Sequence, residues 1–336
     1  MLDLSTLKKY DSQQMYKVYD LWPEIAQKSF EAEHESVNFD NIKHIVIVGM
    51  GGSGAIGDMF ASILSKSKIH VNIVKGYTLP QTVDSNTLVV AVSVSGNTDE
   101  TLSVLKSAHL LGCKIIAFSS GGKMKEYCET NNIEYRFVPQ YHSPRASFTS
   151  YLYTILKVLH TTFEIKLDDI TESIIEMEKT RVKINSSNLS KENPALQLAE
   201  RITNIPVIYY PFGLQSAAIR FKNSLQENTK IHAMVENIVE TCHNGIVSWE
   251  RTSNVQPILI QGVDDFVKTK ERWKIMKEYL KNNGINYLEI ISVTGSILSK
   301  IINLIYILDY SSIYCAVMTN IDPTPVKSIN FVKSKL

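Results

Sequence analysis

Leu88-Val89-Val90-Ala91-Val92-Ser93-Val94-Ser95-Gly96-Asn97-Thr98-Asp99-Glu100-Thr101 sets a continuous apolar run directly against three hydroxyls and a glycine. A run with no polar alternation reads as a strand buried on both faces, the habit of parallel sheets. Helix-like spacing follows from Thr101 to His109. The hydroxyl loop therefore sits where a buried strand turns into a helix, and in such sheets ligands bind outside the carboxyl ends of the strands. Amides at a helix start, with the helix dipole, favour an anion, and Ser and Thr add donors without charge. The loop contains no Lys or Arg, which points to a phosphate held by neutral donors. The bland alternative is a strand-to-helix turn with a Thr or Asn cap.

The same alternation extends in both directions. His44 to Val48 is a β-branched run ending at Gly49-Met50-Gly51-Gly52-Ser53-Gly54, with a helix pattern from Ala55 to about Leu64. Apolar runs recur at 71–74, 114–118 and 135–138, and a helical stretch from Ser147 to His160 closes this half. Residues 167–193 are polar and helix-like and read as a connection. The second half repeats the outline: a strand at 205–210, the turn Pro211-Phe212-Gly213-Leu214-Gln215-Ser216-Ala217, strands at 257–261 and 287–291, a charged helix at 266–282 and a long apolar helix at 297–317. Strands alternating with helices predict a doubly wound parallel sheet. The repeat predicts two related α/β domains, 1–160 with a leading helix and 194–336, joined by the helical segment 161–193.

Composition narrows the function classes. The 336 residues exceed the roughly 100–200 typical of one domain, and 44% hydrophobic with 21% charged residues describes an ordinary globular chain. With 35 basic and 34 acidic residues the net charge is +1. No basic block recommends nucleic acid or a membrane surface. Cys113, Cys128, Cys242 and Cys315 show neither metal-ligand pairing nor a disulfide framework. Residues 1–20 lack a signal-peptide core, and no apolar run is read as reaching bilayer length. A cytoplasmic setting is the simplest expectation.

Gly49, Gly51 and Gly54 fit the Gly-x-Gly-x-x-Gly spacing of dinucleotide sites. That fingerprint wants an acidic residue about 20 positions on, where this chain has Lys75-Gly76-Tyr77. Lys75 could instead meet a 2′-phosphate, but the second loop at 93–98 makes one small anion the simpler occupant. Arg145, in Tyr141-His142-Ser143-Pro144-Arg145-Ala146-Ser147, is expected at a helix start. The dipole does not favour a cation there, so either an anionic partner or a surface salt bridge explains it. Glu227 ends an apolar-patterned helix, and His243 lies in Cys242-His243-Asn244-Gly245. Separately these read as a solvated carboxylate and a loop histidine. Together they supply a base and a group titrating near neutrality, as aldose–ketose proton transfer needs. No His, Asp and Cys set has metal-site spacing, and neither a metal nor a cofactor is expected.

The glycine loop Met50 to Gly54 and the serine loop Ser93 to Thr98 resemble those of sugar isomerase (SIS) domains. With Pro144-Arg145-Ala146, Glu227-Asn228, His243-Asn244 and Asp322-Pro323-Thr324-Pro325-Val326, the chain resembles the bifunctional phosphoglucose/phosphomannose isomerases of archaea and some bacteria from about residue 15 onward. The resemblance implies two SIS domains, each a parallel sheet flanked by helices in a flavodoxin-like three-layer sandwich. It implies a homodimer with active sites near domain and subunit boundaries, acting on a sugar 6-phosphate. Gly51, Gly52, Ser53, Ser93, Ser95 and Thr98 would bind the 6-phosphate. Glu227 would move the proton between C1 and C2 through a cis-enediol, with Arg145 stabilising its negative charge. His243, from the partner subunit, would assist ring opening. Lys333 resembles a C-terminal family lysine with the same task, although Lys327 and Lys335 lie close by. Thr324 would border the C2 hydroxyl, where tolerance of both epimers is decided.

Three departures stand out. Gly245 replaces the acidic residue usual after His-Asn. Asn223-Ser224-Leu225-Gln226 stands where Thr-Gln is common before the base, and Ser147-Phe148 replaces a small-residue pair. Alternative readings are a different SIS sugar-phosphate isomerase and a regulatory module that only binds sugar phosphate.

Overall fold

The computed structural model describes residues 2–335, which divide into two compact units. One comprises Leu21–Glu176 with Ser296–Ser299; the other comprises residues 2–20, 177–295 and 300–335.

The Leu21–Glu176 unit is built on five parallel strands, β1 (His44–Val48), β2 (His70–Val74), β3 (Leu88–Ser93), β4 (Lys114–Ser119) and β5 (Glu134–Phe137), in the order β2-β1-β3-β4-β5. Central β3 is buried at all six positions, which explains its unbroken apolar sequence. Val46, Val48, Val89 and Ala91 pack on one face against Leu102, Leu105, Ala108, Met124 and Cys128, from the Asp99–Leu110 and Gly122–Thr130 helices. The Gly51–Ile63 helix covers the other face, where Gly57 lies against Ile47 and Ile73. Parallel strands require such double cover because each crossover helix lands on a face. The strand order reverses between β1 and β3, so the loops after these two strands flank the topological switch point.

The other unit carries β6 (Ile205–Tyr210), β7 (Met234–Asn237), β8 (Val255–Gln261) and β9 (Leu288–Ile291), parallel and ordered β7-β6-β8-β9. This is the first order without its last strand. Val207, Tyr209 and Leu259 pack on Ile238, Trp249, Trp273, Met276 and Leu280. The chain is thus an α/β protein with two parallel sheets, each flanked by helices.

Some boundaries differ from the sequence reading for physical reasons. The helix after β1 begins at Gly51, not Ala55: the glycines form its opening turn, with Gly51 itself at φ +53°. Strand β7 escapes a reading based on apolar runs: Met-Val-Glu-Asn is a short edge strand with no residue fully buried. The length expectation for apolar runs is corrected as well. The Ile297–Met318 helix is long and apolar enough to cross a membrane by length and composition, with 89% of its apolar window buried inside the protein. It behaves as a core helix. Tyr306, Tyr310 and Tyr314 each donate a hydroxyl along it, to Tyr19 O at 2.5 Å, Asp20 Oδ1 at 2.5 Å and Ile184 O at 2.7 Å.

Candidate active site

The two loops at the first switch point meet. Val94 N donates to Ser53 Oγ at 3.2 Å, joining the strand-to-helix turns after β1 and β3. Ser93 Oγ lies 3.0 Å from Thr98 Oγ1 and accepts from Gly96 N at 3.1 Å, while Ser95 Oγ accepts from Asn97 N at 3.2 Å. Both helices begin at residues, Met50 and Thr98, whose side chains do not cap them. Ser53 N donates to Met50 O at 3.0 Å; no side-chain cap takes the other first-turn amides, the situation that makes helix starts phosphate sites. Gly51, Gly52, Ser53, Ser93, Ser95 and Thr98 therefore share one end of one sheet. Gly96 has φ +69°, and a Cβ there would stand 1.7 Å from Gly121 O, so only glycine permits this loop to close.

Arg145 belongs to the same end. A Cβ on Gly52 would meet Pro144 O at 3.0 Å and Arg145 N at 3.2 Å, so the glycine loop and the arginine turn lie backbone against backbone. Arg145 is 6% exposed. That is no surface salt bridge. The helix it precedes begins at Phe148, leaving Arg145 in a turn rather than at the helix start itself. Lys75, the residue that a 2′-phosphate would have needed, is held by Asp58 at 2.7 and 2.6 Å. The dinucleotide reading loses its cation to a structural ion pair.

Glu227 stands on a π-helical turn, Leu225–Thr229, that continues the Gln215–Ser224 helix. Such turns are rare and concentrate at functional sites. Its neighbours point inward: Ser224 Oγ donates to Asp309 Oδ1 at 2.7 Å, Asn228 Nδ2 to Ser312 Oγ at 2.8 Å, and Thr229 Oγ1 to Leu225 O. Glu227 itself is half-buried. Lys230, in the left-handed region at φ +62°, reaches back with Nζ to Glu227 O and at 3.4 Å to Pro323 O. The segment that carries Thr324 is thereby joined to the Glu227 turn. Thr324 N donates to Asp322 Oδ1 at 2.9 Å, and Ser12 Oγ to Asp322 Oδ2 at 2.6 Å. Lys333 is exposed on the terminal Lys327–Lys333 helix.

Beneath the turn lies a group the sequence reading missed. Asp309 is fully buried and receives Arg220 through Nε at 2.9 Å and Nη2 at 2.6 Å, Ser224 Oγ, and Tyr19 OH at 3.3 Å. Burial pushes its carboxyl up, and the Arg220 charge and these donors pull it down. A lone acid in a 22-residue apolar helix was the available signal.

His243 is exposed and sits elsewhere. The Gln215–Ser224 helix runs back from the carboxyl end of β6 before β7 starts, as a parallel crossover must. The Glu227 turn therefore lies toward the amino ends of the strands, whereas His243 follows the carboxyl end of β7. The four-residue strand β7, about 13 Å long, and the Ile238–Thr241 helical turn lie between them. The sheet does not bring this chain's own Glu227 and His243 together.

Among the described residues no three His, Cys, Asp or Glu side chains gather as metal ligands.

Two sheets of this strand order, the first with hydroxyl and glycine loops at its switch point, define a tandem SIS-domain protein. The SIS domain family matches residues 38–164, and the family described as bacterial phospho-glucose isomerase C-terminal SIS domain matches 191–336. The chain is 34% identical over 336 residues to a bifunctional phosphoglucose/phosphomannose isomerase of Caldicellulosiruptor bescii, covering 95% of this chain and 97% of that one. It belongs to that isomerase family. A D-glucosamine-6-phosphate 4-epimerase of Sulfolobus acidocaldarius is 32% identical over 252 residues, 73% of this chain and 77% of the relative. In three dimensions the chain is similar to the C-terminal domain of a glucosamine-fructose-6-phosphate aminotransferase from Francisella tularensis. That likeness has a TM-score of 0.69 at 17% identity, over 90% of this chain and 96% of the other, and speaks for the fold alone.

Proposed function

We propose that this protein is a metal-independent aldose–ketose isomerase that interconverts glucose 6-phosphate, fructose 6-phosphate and mannose 6-phosphate. The observation that carries the reading is Glu227, a half-buried carboxylate on a π-turn whose neighbours are bonded inward, in a chain of this isomerase family. In the proposed reaction the 6-phosphate is held by the amides and hydroxyls of Gly51, Gly52, Ser53, Ser93, Ser95 and Thr98. His243, with Lys333, moves the proton that lets the C1–O5 bond of the cyclic aldose break. Glu227 removes the C2 proton, and that electron pair becomes the C1=C2 bond of a cis-enediol as the carbonyl oxygen takes up negative charge. Arg145 stabilises this charge, the kind of electrostatic assistance that commonly dominates catalysis. Transfer of the O2 hydroxyl proton to O1, with return of the carbon-bound proton to C1, gives the ketose. Thr324 borders the C2 hydroxyl, where the two epimers differ.

A homodimer with shared active sites accompanies this reading. It is supported by the opposite ends of the second sheet that Glu227 and His243 occupy, since a partner's His243 would resolve the separation. Cytoplasmic residence suits a sugar 6-phosphate substrate.

The test is isomerase assay on fructose 6-phosphate with excess chelator, wild type beside Glu227→Gln, scoring both aldoses. Both products from wild type and a loss of about 10²–10⁴ in the variant are expected of a general base. Glucose 6-phosphate alone would restrict the activity to one epimer. The similarity to the Sulfolobus epimerase favours one second reading, a SIS enzyme acting on an amino-sugar phosphate. Turnover of glucosamine 6-phosphate but not of fructose 6-phosphate would establish it. Binding without turnover of either would identify a regulatory module.

A further inference from the structure

The segment that presents His243 is built around a carboxylate that the reaction does not use. Glu236, in β7, accepts from Thr241 Oγ1 through Oε2 at 2.9 Å. The same Oε2 fills the place where a side chain at position 245 would begin: a Cβ on Gly245 would stand 2.5 Å from it. The cross-strand neighbour of Glu236 is Tyr209 in β6, whose hydroxyl accepts from Trp249 Nε1 at 3.0 Å. The 241–249 stretch is therefore pinned at both ends to adjacent residues of β6 and β7. Between the pins the turn closes on itself: His243 N donates to Glu240 O at 2.8 Å and Asn244 N to Thr241 O at 3.3 Å. Asn244 Nδ2 also donates to Glu240 Oε1 at 2.6 Å. Thr241 thus links the two levels, its hydroxyl bonded to Glu236 and its carbonyl to the residue after the histidine.

We infer that Glu236 is a positioning residue for His243, and that it does from the strand what a carboxylate at position 245 would otherwise do from the turn. This rests on the reading of His243 as the ring-opening group. Glu236 and Gly245 form a matched pair. The carboxylate can occupy this volume only because residue 245 has no side chain, and the turn keeps its anchor only because the carboxylate is there. Without Glu236, the Thr241 hydroxyl loses its acceptor and the turn can swing. With a side chain at 245 and Glu236 still present, the two compete for one space.

The experiment compares two substrates. Fructose 6-phosphate must be ring-opened; its 5-deoxy analogue lacks the hydroxyl that closes the furanose and presents an open chain. Misplacing the histidine by about an ångström is expected to lower kcat/KM on fructose 6-phosphate about 10–100-fold in Glu236→Ala, with a much smaller loss on the analogue. Glu236→Gln, whose amide oxygen can still accept from Thr241, should retain most activity on both. Glu236→Ala combined with Gly245→Asp should recover the selective loss, because a carboxylate returns to the vacated space from the other side. Equal losses on both substrates in Glu236→Ala, or no recovery in a folded double variant, would overturn the inference. His243→Gln is the reference. A selective loss there without one in Glu236→Ala refutes the role of Glu236 alone. No selectivity in His243→Gln refutes the ring-opening role and the inference with it.

Discussion

Arg220 and Asp309 form a buried ion pair, with Nη2 2.6 Å from Oδ2 and both side chains at most 4% exposed. The pair lies directly below the π-turn, because Ser224, the last residue of the preceding helix, bonds the second carboxylate oxygen. Asp309 thereby fastens the turn bearing Glu227 to the core helix Ile297–Met318.

Removing one partner of such a pair leaves an uncompensated buried charge. Asp309→Asn should lose about 3–5 kcal/mol of stability, while Arg220→Met with Asp309→Leu should lose much less. Urea unfolding of the variants measures both, and a wild-type midpoint for Asp309→Asn contradicts the account.

Gly96→Ala places a methyl where Gly121 O already stands, at a backbone angle that L-residues avoid. The combined overpacking and strain should cost about 2–4 kcal/mol. Thermal unfolding should show it, together with weaker competition by inorganic phosphate, since the serine loop closes through this glycine.

Ser95 is exposed, and its Oγ already accepts from Asn97 N, so its proton remains available to a phosphate oxygen. Loss of one hydrogen bond to a charged group is worth about 1.5–3 kcal/mol. Ser95→Ala should therefore raise KM at least about tenfold with little change in kcat. A fall in kcat at constant KM would instead place this hydroxyl near the reacting carbons.

Asp265 offers a test by pH. Burial raises its carboxyl above the ordinary value, against the opposing pull of Trp273 Nε1, which donates to it at 2.8 Å. The folded state then binds this proton more tightly than the unfolded state does. Stability from this group is complete below the ordinary carboxylate value of about 4 and is lost as pH rises through the folded value. Asp265→Asn, which can keep the Trp273 bond, should melt higher than wild type at pH 7, with the gap closing toward pH 4. A gap that widens on acidification contradicts this.

The strands with apolar runs were legible because a fully buried strand leaves no room for polar residues; β1, β3, β4, β6 and β8 all carry that mark. Strand β7 was not, since an edge position tolerates the glutamate that holds the His243 turn. The serine and glycine loops were legible as neutral donors at strand-to-helix junctions because that depends on local residue types, and the structure joins them through Val94 N and Ser53 Oγ. The Lys75–Asp58 pair was hidden: its members are 17 residues apart and meet only through the packing of a helix against a strand end.

The sequence by itself determined the two α/β repeats and the glycine and hydroxyl loops that follow their buried strands, since each follows from periodicity or spacing within about 15 neighbours; the candidate roles of Lys333 and Thr324 came only from the family resemblance. The tertiary structure alone decided three things. It put Arg145 in a buried turn against Gly52, set Glu227 on a π-turn braced by Asp309 some 80 residues away, and filled the space beside Gly245 with Glu236. These depend on which side chain occupies a given volume when distant segments pack. Close packing allows only one occupant, and no local pattern records which it will be.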